Sequence, residues 1–337
     1  MAGHHRRAAV LCGIGTWLPP RVVTNADLAR QLDTSDEWIR TRTGIRERRV
    51  IDRGMSTSVL AVEAGARALK SSGSSEVDLV VVATTTPDHP CPSTAPEVAH
   101  RLGLTGVAAF DLNAVCAGFV YALATAAGHI AAGSAERVLV IGADTFTTVL
   151  NPLDRTTLAI FGDGAGAVVL RAGTPDEPGA LGPFDLGADG SNADLLIVPA
   201  GGSEQRGSGE PLDPADVHFR MDGQPVFRNA VTRMSESAVK VLDRAGWRVE
   251  DVDRFACHQA NARIISAVAR DLAVPQERFV LNVDRVGNTV AASIPLVLAD
   301  AAAAGDIEPG HRVLVTSFGA GLGWGSTVLT WPELDLG

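Results

Sequence analysis

Cysteine is scarce in this chain: Cys12, Cys91, Cys116 and Cys257 are the only four in 337 residues, with no CxxC pair and no regular spacing. That excludes a disulfide framework and fits a reducing, cytoplasmic setting. Positive charge is also short, with 29 Lys and Arg against 39 Asp and Glu for a net charge of -10. The broad basic footprint that nucleic acid demands is therefore missing. No apolar run is long enough to cross a membrane, which takes about 20 residues. Three familiar sites are excluded by what is not there. Gly162-Asp-Gly-Ala-Gly166 lacks the Lys-Ser/Thr of a phosphate-binding loop, and Gly13-Ile-Gly15 is followed by Leu18 where a dinucleotide fingerprint needs glycine. His89 and Cys91 offer two metal ligands, too few for zinc. No metal and no redox cofactor are expected.

What is present reads as a soluble globule, 46% hydrophobic and 20% charged with 35 glycines, long enough to bury a large core without staples. The start, with Arg6-Arg7 before an apolar stretch, mimics a leader peptide. That stretch is short, contains Gly13 and Gly15, and meets Pro19-Pro20 without an Ala-x-Ala site, so a first β-strand is expected. An internal repeat organises the rest. Leu69…Gly73…Val77-Asp78 returns as Leu242…Gly246…Val252-Asp253, and Arg137-Val-Leu-Val140 returns as Arg312-Val-Leu-Val315, all at offsets of 173 to 175. Two copies of one α/β unit are expected: residues 1–173, a connection over 174–216, and residues 217–337. That connection is either a substrate-side lid or a surface link.

Within the copies, Val59, Val62, Ala66 and Leu69 mark one helical face, as do Val231, Met234, Ala238 and Val241. Runs such as 77–82 and 138–141 read as strands buried on both faces, in mainly parallel sheets. Residues 117–132 are small and apolar and read as a central helix buried all round.

In such sheets, ligands gather where strands end and helices begin. Cys116 lies at one of these junctions, His258 ends the run Arg254-Phe-Ala-Cys-His258, and Asn288 lies near the matching junction of the second copy. A pseudo-two-fold axis brings these ends together. A thiol at a helix N-terminus has its thiolate favoured, while an imidazole and a carboxamide donate to one oxygen that becomes negative. This set suits acyl transfer followed by enolate stabilisation. Taken singly, Cys116 reads as well as a small buried hydrophobe, His258 as a satisfied core residue and Asn288 as a turn residue.

Six segments resemble β-ketoacyl-acyl-carrier-protein synthase III: Asp36-Glu-Trp-Ile-Arg-Thr-Arg-Thr-Gly-Ile-Arg46, Asn113-Ala-Val-Cys-Ala-Gly-Phe119, Phe161-Gly-Asp-Gly-Ala-Gly-Ala167, His258-Gln-Ala-Asn261, Gly287-Asn-Thr-Val-Ala-Ala-Ser-Ile-Pro295 and Phe318-Gly-Ala-Gly-Leu-Gly-Trp-Gly325. They run in family order along nearly the whole chain. The resemblance implies the thiolase-like fold, duplicated halves in five αβαβα layers, and a cytoplasmic homodimer. It implies that Cys116 takes an acyl group from acyl-CoA, a substrate and not a cofactor. Malonyl-acyl carrier protein then loses carbon dioxide, His258 and Asn288 stabilise the enolate, and a 3-oxoacyl-acyl carrier protein is released to start a fatty acid or polyketide-type chain. The backbone N–H groups of Cys116 and Ala320 form the oxyanion hole, alanine standing where many relatives have glycine.

The same resemblance places Trp38 and Arg155 beside the CoA adenine, Arg42 near its phosphates, and Gly223 and Asn261 along the pantetheine. Arg228, Arg263 and Arg270 are the docking residues for the acidic carrier protein. Cys91 takes the place of a residue that reaches across the dimer to close the acyl pocket, often phenylalanine; its small side chain leaves room for primers beyond acetyl. Relatives of other kinds fit less well. A degradative thiolase needs a second cysteine that residues 317–325 lack, an elongating synthase has histidine in place of Asn288, and a non-catalytic partner has lost the nucleophile. The remaining alternative is a specialised antibiotic-pathway acyltransferase that moves the acyl group to another acceptor without condensation.

Overall fold

A computed structural model describes residues 7–336 of the chain. The first half contributes β1 (Ala8–Trp17), β2 (Arg21–Thr24), α1 (Asn25–Ala29), α2 (Asp36–Thr43), β3 (Glu47–Val50), α3 (Thr57–Ser71), β4 (Leu79–Ala83), α4 (Ala95–Arg101), β5 (Ala108–Leu112), α5 (Gly118–Ala131), β6 (Arg137–Asp144), α6 (Arg155–Leu158) and β7 (Gly164–Gly173). The second supplies β8 (Leu181–Ala188), β9 (Leu196–Ile197), α7 (Ser203–Ser208), β10 (Arg220–Met221), α8 (Gly223–Ala245), β11 (Arg254–Cys257), α9 (Ala262–Asp271), α10 (Val283–Val286), α11 (Ser293–Ala303), β12 (Arg312–Gly319) and β13 (Gly323–Thr330).

Two sheets carry the repeat, in the order β1-β7-β6-β4-β5 and, matching it strand for strand, β8-β13-β12-β11. The second copy keeps only a one-residue bridge, Phe255 to Phe279, where the first has β5. The sheets are mixed and not mainly parallel. β4 pairs in parallel with β5 and β6, and β11 with β12, while the pairs β6–β7, β1–β7, β12–β13 and β13–β8 are antiparallel. No crossover helix joins β12 to β13; a tight turn does, and a tight turn returns the chain antiparallel.

Side-chain alternation along the strands makes the layers. Val138 and Val140 of β6 face a core shared with α5, α11 and the second sheet's Val313 and Val315. Leu139 and Ile141 point the opposite way, against α3 and α4. On the far side, Leu314 packs against α8 and α9. The result is α3/α4, sheet, α5/α11, sheet, α8/α9.

Several local expectations are corrected. The buried face of α3 keeps Leu69 and adds Leu60, Ala61, Ala64 and Ala68, with Val59 and Val62 half-buried and Ala66 exposed, because that helix is pressed by β1 as well as by β6 and β7. On α8, Val231 is only half-buried, and Val226 and Ala230 complete the stripe. α5 is buried through Phe119, Val120, Ala122 and Leu123 but surfaces at Gly128, while Ala126 and Ile130 on either side stay fully buried, so one face of the helix meets solvent. The 174–216 segment is more than a link: it supplies β8, the edge strand of the second sheet and the counterpart of β1.

Phe119 sits fully buried between the two sheets. Replacing it with alanine is expected to cost about 3–5 kcal/mol of unfolding free energy. Urea titration measures this; a loss below about 1 kcal/mol would contradict the layer assignment.

Candidate active site

Both halves build the same turn ahead of their central helix. After β5 the chain enters Val115 at φ +47° and makes one 3-10 turn, Val115–Ala117, before α5. Ahead of α11, Val290 takes φ +53° and leads the turn Val290–Ala292. A β-branched residue at positive φ is a real outlier, costing roughly 1–3 kcal/mol, and such strain gathers at functional sites. In each turn an asparagine side chain holds the valine: the Val115 N–H donates to Asn113 Oδ1 at 3.3 Å and the Val290 N–H to Asn288 Oδ1 at 2.9 Å. The offset of 175 therefore matches Asn113 with Asn288 and Cys116 with Ala291. Asn113 was missed as a counterpart by the sequence argument, although applying the 137-to-312 offset to Asn288 points to it.

The second turn shows what such an elbow binds. The Ala291 N–H donates to Asp144 Oδ2 at 3.1 Å, so this backbone position already holds a carboxylate oxygen. The Asp144 counterpart is Gly319, and a Cβ there would lie 2.8 Å from Cys116 Cβ and 2.9 Å from its nitrogen. Cys116 therefore packs directly against the Gly319 backbone, which has no side chain to reach its N–H as Asp144 reaches that of Ala291. Among the described residues neither the Cys116 nor the Ala320 N–H has a hydrogen-bond partner. The positive φ of the Ala320 loop falls on Gly321, not on alanine, so the side chain at 320 is tolerated.

One cavity of about 660 Å³ joins these groups: Cys116, His258, Asn288, Gly319 and Ala320 all line it. Asn288 is set by the opposite half. Its N–H donates to Ile160 O at 2.9 Å and its carbonyl accepts from the Gly162 N–H at 3.0 Å. Only glycine allows this approach, since a Cβ on Gly162 would sit 2.4 Å from Val286 O and one on Gly287, at φ +72°, 2.8 Å from Ile160 O. With Oδ1 engaged by Val290, Asn288 has its Nδ2 donors left to aim at the cavity.

Burial dominates the electrostatics. The His258 imidazole is pushed down to about 3 by desolvation, so it is neutral at physiological pH. Burial first, and the Asp144 carboxylate second, push the Cys116 thiol up. Cys116 keeps partial exposure into the cavity, and this upward direction runs against the thiolate expected from its place at a helix N-terminus. Asp144 itself is pushed up to about 7 by burial, against hydrogen bonds from Thr85, Ala291, Thr86 and Thr84.

Further along the cavity lie Trp38, Arg42, Gly223, Arg228, Asn261 and Arg263. Arg42 and Arg155 hold their guanidinium carbons 4.6 and 5.0 Å from the Trp38 ring centroid, and Arg155 donates to Asp33. Asn261 has a second job: its Oδ1 caps α9 by accepting from the Ile264 N–H at 3.0 Å. Arg270 is exposed on the last turn of α9, outside the lining. Cys91 is exposed and outside the cavity, on a loop that Asp111 of β5 ties down by accepting from the Thr94 and Ala95 N–H groups. The wall behind Cys116 is instead Phe146, Phe161 and Phe219, their ring centroids 4.6–5.4 Å apart, with Leu196 and Met221 from the β9–β10 pair. The sequence gave no signal for this wall, because its parts come from three separate segments. Leu196 brings the 174–216 segment to the cavity side.

Matches to known proteins follow the same geometry. Residues 110–190 match the model of 3-oxoacyl-[acyl-carrier-protein] synthase III, and residues 242–331 match that family's C-terminal model. Beta-ketoacyl-[acyl-carrier-protein] synthase III 5 of Streptomyces coelicolor is 61% identical over 97% of this chain and 98% of its own. The chain belongs to this synthase III family. The Pseudomonas aeruginosa synthase III crystal structure superposes with a TM-score of 0.92 at 51% identity, covering 97% and 99% of the two chains. The priming β-ketosynthase of a polyketide biosynthetic pathway gives 0.90 at 36%, covering 99% of each. The synthase III fold thus accounts for the duplicated sheets.

A pH prediction follows from His258. Its folded value, about 3, lies below the ordinary 6.5. Between these the unfolded chain binds more protons, so this contribution is fully present above pH 6.5 and is lost as pH falls towards 3. From pH 7 to pH 4, the wild type is expected to lose more stability than His258→Gln in denaturant titrations. Equal losses would contradict a buried neutral imidazole.

Proposed function

We propose that the protein condenses an acyl-CoA primer with malonyl-acyl carrier protein, as its family's name implies, through an acyl-Cys116 thioester. The observation that carries this reading is the pairing, in one cavity, of a thiol beside two unpartnered N–H groups with two neutral donors, His258 and Asn288. The Cys116 sulfur attacks the acyl-CoA carbonyl; the oxyanion is held by the Cys116 and Ala320 N–H groups, and CoA leaves carrying the thiol proton. Malonyl-carrier protein then loses carbon dioxide. His258 and Asn288 donate to the enolate oxygen, the enolate carbon attacks the thioester, and Cys116 leaves as a thiolate that takes a proton from water to restore the thiol. Neutral donors suit a charge that develops only during reaction, because they cost nothing beforehand. An acyltransferase that moved the primer to a ready nucleophile would have no enolate for this pair to hold. No cofactor enters these steps, since acyl-CoA is consumed as substrate.

Trp38, Arg155 and Arg42 supply an aromatic face and two cations for the CoA nucleotide, with Gly223 and Asn261 along the pantetheine arm. Arg155 now occupies the stacking space over Trp38, so an adenine ring enters by displacing it. Arg228, Arg263 and Arg270 form the carrier-docking patch that the net charge of -10 makes necessary. A homodimer through the free edge of β5 is part of this reading, and a cytoplasmic location completes it. Cys91, tied to that edge, has access only to a partner's acyl pocket, where its small side chain admits primers beyond acetyl.

Intact-mass analysis after incubation with acyl-CoA tests the mechanism. Cys116→Ala is expected to give no stable acyl-enzyme; Asn288→Ala is expected to acylate normally and lose condensation by about a hundredfold or more. Equal loss of both steps in Asn288→Ala would remove it from the enolate step. Arg263→Glu should lower kcat/KM for the carrier substrate about tenfold while acylation by acyl-CoA persists; unchanged carrier kinetics would refute the docking patch.

A further inference from the structure

Ser293 opens α11 with its hydroxyl turned back toward the imidazole. Its Oγ lies 2.6 Å from His258 Nδ1 and accepts the Gln259 backbone N–H at 3.2 Å. Both side chains are buried, Ser293 at 0% and His258 at 2% exposure. Among the described residues Oγ has no other hydrogen-bond partner, and Nε2, on the cavity side, has none.

A neutral imidazole carries one proton, on one nitrogen or the other. If Nδ1 held it, Oγ would have to accept twice, and the hydroxyl proton would be left without an acceptor in a dry interior, an arrangement buried polar groups avoid. If the hydroxyl donates to a bare Nδ1, every group is satisfied.

We propose that Ser293 donates its hydroxyl proton to His258 Nδ1 and so holds the ring as the Nε2–H tautomer, aimed into the cavity. The bond made by one ring nitrogen fixes the state of the other. This deepens the condensation reading and rests on it: His258 enters as a donor to the enolate and not as a base for the Cys116 thiol. Ser293 is a positioning residue, since it touches no reacting atom.

Nitrogen NMR of the intact enzyme labelled with 15N-histidine reads the tautomer directly, with the His258 signals assigned by their loss in His258→Gln. The wild type is expected to show an unprotonated Nδ1 and a protonated Nε2. Ser293→Ala should shift population toward the Nδ1–H form and lower kcat for condensation about tenfold, with KM for the malonyl-carrier substrate unchanged; Ser293→Thr should restore both. A protonated Nδ1 in the wild type, or an unaltered tautomer in Ser293→Ala, overturns the proposal. Should Ser293→Ala fail to fold, the wild-type and Ser293→Thr spectra decide it alone. A tautomer shift without a change in kcat keeps Ser293's hold on the ring and instead removes His258 from the enolate step.

Discussion

Two backbone hydrogen bonds hold the site together. Residue 288 is strapped between Ile160 and Gly162 of the other half, N–H to carbonyl on one side and carbonyl to N–H on the other. The strap is a one-residue parallel bridge, and it exists because glycines at 162 and 287 let two backbones approach without a Cβ between them. Stacked sheets alone would bring the strand ends near each other. The strap fixes their register, so that a carboxamide from one copy and a thiol from the other address the same space.

The duplication also gives its two elbows different surroundings. Each half pays for a strained valine, and each exposes an N–H at the following residue. At the Ala291 elbow that N–H is satisfied by Asp144 of the first half, whose carboxylate also gathers Thr84, Thr85 and Thr86. At the Cys116 elbow the matching residue is Gly319 of the second half, which has no side chain to satisfy the N–H beside the sulfur. The same carboxylate, after burial, pushes the Cys116 thiol up. One Asp-to-Gly difference between the copies thus leaves one elbow N–H bonded to a carboxylate and the other without that partner.

Much of this was readable in the residues. Paired landmarks near an offset of 175 gave the duplication, apolar runs gave the buried strands, and the five layers came with the family resemblance. The motifs around Cys116, His258 and Asn288 named the triad. Other features were hidden for physical reasons. β8 lies in a Gly- and Pro-rich stretch whose composition looks like a loop; its partner strand makes it a strand. The burial of α3 depends on β1, which contacts it from far away in sequence. The phenylalanine wall is assembled from rings at 146, 161 and 219, and no local period records such a meeting.

The proposed reaction divides its labour between two pairs of donors: backbone N–H groups of Cys116 and Ala320 for the thioester oxygen, and side-chain donors of His258 and Asn288 for the enolate. A crystal structure of the acyl-Cys116 enzyme tests this most directly. The account predicts the thioester oxygen within about 3 Å of both the Cys116 and Ala320 nitrogens, with His258 Nε2 and Asn288 Nδ2 left facing unfilled space. A thioester oxygen bonded to His258 and Asn288 instead would contradict it.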